Sequence, residues 1–118
     1  MACKCSCGEV GTLYFSCSGG SDVGELSDRV ARQLQKDGKG KMYCLAGLGA
    51  NISGMIESAR AATARVVIDG CPGACGKKIF ERVGLQACSF NLKDFGFEKG
   101  KTTVNEQNIA EAIRKMGI

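Results

Sequence analysis

The chain has 118 residues, 44% of them hydrophobic and 24% charged, with a net charge of +4. That is enough for one domain with one core, too little for two ordinary domains, and no apolar run approaches the roughly 20 residues a membrane span needs. With no histidine, a Ser-His-Asp triad, a Cys-His protease pair and any imidazole metal ligand are excluded.

Residues 1–9 read as a loose tail carrying Cys3, Cys5 and Cys7, and residues 10–118 as a single α/β domain. The opening MACKCSCGEV has no hydrophobic stretch and is not a secretory signal. A cytoplasmic location is therefore expected, where clustered cysteines point to metal or redox chemistry more than to disulfides. VGTLYFSC at 10–17 reads as a buried strand, and the glycine-rich SGGSDVGE turn leads into a helix over 25–38. Leu26, Val30 and Leu34 line that helix, Gly38 closes it, and Ser21 or Asp22 caps its start. KMYCLA at 41–46 reads as a second strand and GLGAN as a loop. Ile52, Met55, Ile56 and Ala59 then fall on one face of a second helix.

ARVVID at 64–69 is the third strand. Pro72 suits the first turn of a third helix running to about Val83, with Gly84 as its stop. LQACSFNL at 85–92 is the fourth strand, with Cys88 in its interior and assigned to the core. The last helix spans 104–117, with Ile109, Ala112, Ile113 and Met116 on one face. Strands alternating with helices imply parallel pairing and a single-domain, three-layer α/β sandwich on a four-stranded sheet of order 2-1-3-4.

This topology organises the cysteines. Cys17 ends the first strand, Cys44 lies near the end of the second, Cys71 follows the third, and Cys75 lies one helical turn on. The carboxyl ends of parallel strands share one edge, where ligands bind, and neighbouring strands are about 4.8 Å apart. Four thiols brought to one edge suit tetrahedral zinc, and Cys71 and Cys75, as i and i+4, would share a helix face and chelate. They suit an iron–sulfur cluster too, and a thiol redox pair at Cys71/Cys75 is the main alternative to zinc. Asp69, ending an apolar strand beside these thiols, reads equally as an orienting or basic group and as a turn residue.

Other signals are weaker. Gly19, Gly20 and Gly24 do not fit a dinucleotide or phosphate-loop pattern, and read instead as room for the backbone to pass close to a metal. KDGKGK and EKGK read as solvated loops, and without a dense basic stripe or tryptophan nothing clear points to nucleic acid. No protein partner or reaction is indicated.

The tripeptide DGC at 69–71, with C-x3-C and GKKI after it, resembles the DGC-domain family, which is named for that tripeptide. The resemblance extends to FSCSGGSDVGEL at 15–26, YCLAGLG at 43–49 and DFGFEKGK at 94–101. It implies a zinc-binding protein whose site is made by Cys17, Cys44, Cys71 and Cys75, used structurally or for metal handling. It implies no particular reaction, and nothing for Cys88 or the first three cysteines.

Overall fold

A computed structural model describes residues 11–118; Cys3, Cys5 and Cys7, and the tail assigned to residues 1–9, lie outside them. In chain order the elements are β1 (Thr12–Ser16), α1 (Asp22–Lys36), β2 (Lys41–Met42), α2 (Leu45–Gly49), α3 (Ser53–Ala61), β3 (Ala64–Asp69), α4 (Cys75–Val83), β4 (Cys88–Asn91) and α5 (Glu106–Met116). A single 3-10 turn, Leu92–Phe95, follows β4. The sheet is parallel throughout and its order is β2-β1-β3-β4, as the alternation of elements predicts.

The period of two along the strands separates two cores. Tyr14, Val66 and Ile68 point to one face and meet Leu26, Val30 and Leu34 of α1 and Ile109, Ala112 and Met116 of α5. Phe15 and Val67 point to the other and meet Leu48 of α2, Ala59 of α3 and Phe80 of α4. Phe15 is the pivot of that second core, edge-on to both Tyr43 and Phe80 at centroid separations of 5.8 and 4.9 Å. Helices thus cover both faces, giving the expected three layers.

Several boundaries differ from the sequence reading. Helix α1 begins at Asp22 rather than residue 25, because Ser21 Oγ accepts the Gly24 N–H at 3.1 Å and holds the first turn. Strand β2 stops at Met42, and Leu45–Gly49 is a helix rather than strand and loop. The last carbonyls of that short helix, Leu48 and Gly49, are taken by Arg82 Nη2 at 3.2 and 3.0 Å. Ile52 precedes α3 as its cap residue and is 48% exposed, so only Met55, Ile56 and Ala59 face the core. Strand β4 is limited to Cys88–Asn91, with Cys88 its half-buried first residue, packed against the α1–α5 core.

A last difference moves the site. Helix α4 starts at Cys75, not at Pro72. The Asp69 carboxylate, 1% exposed, accepts the N–H of Gly76 at 2.7 Å and that of Lys77 at 3.0 Å. An acidic side chain from the strand end therefore caps the helix, and Ala74, in the left-handed region at φ 48°, makes the turn into it. Cys71 stands in the preceding turn, so it and Cys75 do not share a helix face.

Candidate functional site

Strand β1 passes to α1 on one face of the sheet and β3 passes to α4 on the other. The two connections diverge from neighbouring strands, which opens a crevice at the carboxyl ends of β1 and β3, the place where open α/β sheets bind ligands. Two glycines let the elements close on it. A Cβ on Gly70 would stand 2.4 Å from the Val23 carbonyl oxygen, and one on Gly24 would stand 2.5 Å from that of Gly19. The first turn of α1 is thereby laid directly against the end of β3. The close approach these glycines serve is backbone to backbone, whereas Gly19 and Gly20 have open space where a side chain would go.

The four cysteines expected at this edge are its free thiols among the described residues. Cys17 follows β1, donating its N–H to the Ile68 carbonyl at 3.0 Å, with its Sγ 3.3 Å from Ser27 Oγ. Ser27 gives its own proton to the Gly24 carbonyl at 2.7 Å, so a Cys17 thiol donates in this contact; a thiolate would require Ser27 to turn its proton to sulfur. Cys44 is exposed at the start of α2, and Cys75 is exposed as the first residue of α4. Cys71 is half-buried, its carbonyl held by Asn91 Nδ2 at 2.8 Å and by the Ala74 N–H at 3.1 Å. The sulfurs of Cys71 and Cys75 both face Gly73, lying 3.5 and 3.9 Å from where its Cβ would be.

These thiols border two adjoining clefts. The larger, about 660 Å³, takes in Cys17, Cys44 and Cys75 at the ends of β1 and β2. The smaller, about 390 Å³, lies at the crevice between β1 and β3 and takes in Cys17, Cys71 and Cys75. Cys17 and Cys75 are common to both, while Cys44 and Cys71 lie on opposite sides. Among the described residues, no three Cys, Asp or Glu side chains stand close enough together to enclose a metal ion.

Asp69 borders the smaller cleft and caps α4 through its bonds to Gly76 and Lys77. Lys99, assigned from sequence to a solvated loop, also borders that cleft. Its loop is fixed by Asp22, whose carboxylate accepts the N–H groups of Gly100 and Thr102, both at 3.0 Å, besides that of Val23 at 2.8 Å. The bonds from Gly100 and Thr102 hold the Asp22 carboxyl below its ordinary value. No short-range pattern marks these contacts, because they join residues 78 and 80 positions apart.

Comparison with known proteins places this arrangement. The family model described as DGC domain matches residues 13–116. A curated relative, the "Anaerobic and virulence modulator AnvM" of Pseudomonas aeruginosa, is 33% identical over 70 residues, which cover 59% of this chain and 53% of the relative. The match thus spans about half the relative's length. No solved structure matches the chain.

Proposed function

The chain belongs to the DGC-domain family, and on that premise we propose that it binds zinc through Cys17, Cys44, Cys71 and Cys75. The observation that carries this reading is the gathering of four free thiols, from three strand-to-helix connections, around two adjoining clefts at one sheet edge. Their chemistry fits the ion: thiolates are soft donors that zinc accepts at about 2.3 Å. Their spacing requires rearrangement, since Cys44 and Cys71 lie across the clefts from each other. Cys44 and Cys75 are exposed and can swing by rotamer change; Cys17 would exchange its Ser27 contact for the metal.

A bound zinc would tie the ends of β1 and β3 to the starts of α2 and α4. Four thiolates leave no open coordination position, so the role is structural or one of metal handling rather than hydrolysis. Elemental analysis of protein purified without added metal, with a thiol count, tests it. About one zinc per chain with four protected thiols is expected, and Cys71→Ser should lower both zinc content and melting temperature. Full zinc content and unchanged melting in Cys71→Ser would refute the assignment.

A second reading, thiol redox chemistry at Cys71 and Cys75, draws on their shared approach to Gly73. It predicts metal-free protein in which these two thiols lose two electrons and two protons to an added oxidant and form one disulfide. Mass spectrometry of the oxidised chain separates the two readings.

A further inference from the structure

The larger cleft carries a feature that the thiols do not use. Its wall away from Cys44 is a chain of hydrogen bonds running from strand to helix. The hydroxyls of Ser16 and Ser18 are 2.6 Å apart, Ser18 Oγ donates to Asp28 Oδ1 at 2.9 Å, and Arg32 Nε donates to Asp28 Oδ2 at 2.7 Å. Ser16 is 4% exposed, so the chain starts from a buried hydroxyl at the cleft floor. Ser18 holds a left-handed backbone at φ 50°, unusual for a residue with a side chain. It is kept there by its N–H to Ser27 Oγ at 3.3 Å and by its bond to Asp28. Such conformations persist where surrounding structure over-determines them, and they gather at binding sites.

The same cleft is lined by Met42, whose N–H is held by Gln35 of α1 at 2.7 Å, and by Leu45 and Ile79 from the other face of the sheet. The cleft thus combines apolar side chains with a carboxylate and a guanidinium joined through Nε, with Nη1 and Nη2 outside that bond. A carboxylate and a guanidinium side by side match a molecule carrying an ammonium and a carboxylate side by side. The volume of about 660 Å³ is in the range of small-molecule sites, roughly 300–1,000 Å³. We infer that this cleft binds a small zwitterion with an apolar side chain, an amino acid or short peptide. Its carboxylate lies on Arg32, its ammonium on Asp28, and its side chain against Met42, Leu45 and Ile79. A thioether or aliphatic side chain suits those apolar neighbours.

The test is an NMR titration of the reduced, metal-free chain with L-methionine. Saturable shifts are expected at Ser16, Ser18, Asp28 and Cys44. N-acetyl-L-methionine, which lacks the ammonium, and L-methionine amide, which lacks the carboxylate, should each bind about tenfold more weakly or worse. Arg32→Gln should abolish discrimination against the amide and keep that against the acetylated form; Asp28→Asn should do the reverse. Both residues are on the helix surface, so the variants should fold, which circular dichroism checks. No saturable binding, equal binding of all three probes, or unchanged discrimination in both variants would overturn the inference. The titration contains no zinc, so its outcome is independent of the elemental analysis.

Discussion

Asp69→Ala probes the element that places Cys75. The Asp69 carboxylate makes two charge-assisted bonds to the first N–H groups of α4, at 2.7 and 3.0 Å, from a position 1% exposed. A bond to a charged group contributes about 1.5–3 kcal/mol net, and a buried N–H left unsatisfied costs about 1–3 kcal/mol. The desolvation cost of the carboxylate offsets part of this. Loss of a side-chain cap alone costs about 0.5–2 kcal/mol. The variant should therefore lose about 3 kcal/mol, which for a domain of this size lowers the melting temperature by roughly 10 °C. Asp69→Asn keeps one acceptor oxygen for Gly76 but turns an amide toward Lys77, and should fall about midway. Thermal melts followed by circular dichroism, on zinc-free and zinc-loaded protein, measure both. On the proposed zinc assignment Asp69→Ala also lowers zinc affinity, because the first turn of α4 carries Cys75. Melting of Asp69→Ala within about 2 °C of the parent, about 0.6 kcal/mol on the same scaling, would refute this role for Asp69.

Gly70→Ala should destabilise by about 3 kcal/mol, since its Cβ would meet the Val23 carbonyl at 2.4 Å, whereas Gly19→Ala, with open space, should change stability by less than about 0.5 kcal/mol; denaturant melts compare them. Ser21→Ala should cost about 1 kcal/mol through loss of the α1 cap, read in the same assay. Asp22 is held below its ordinary value of 3.8, so its contribution is complete above that value and is lost as pH falls through the lower folded one. The protection of the Gly100 and Thr102 amides, measured against the intrinsic exchange rate at each pH, should therefore fall on acidification beyond the ordinary carboxylate range, and Asp22→Asn should remove that dependence. Exchange at the two amides that is indifferent to Asp22→Asn would count against the contact.

What was legible in the sequence follows the range of the forces involved. Strand β3 and the apolar faces of α1 and α5 are written in local period, and the boundaries of β3 at residues 64 and 69 match the observed ones. The strand-end cysteines were legible too, because parallel topology alone puts Cys17 and Cys71 at one edge. Short elements were not. The run around Leu45 is apolar without a period, and its helix relies on Arg82, 33 and 34 residues away. Proline at the head of α4 suggested an early start, but the capping group is Asp69, which precedes that proline. The division of the thiols between two clefts was invisible for the same reason: it depends on how α2 and α4 are seated, not on cysteine spacing.

Cys17 and Cys75 form a party wall between the two clefts. Any ligand that draws one of those side chains toward itself reshapes the neighbouring chamber by the same movement. Coupling free energies are reciprocal, so if zinc binds as proposed and changes the affinity of the larger cleft, that cleft's occupant changes the affinity for zinc by the same factor.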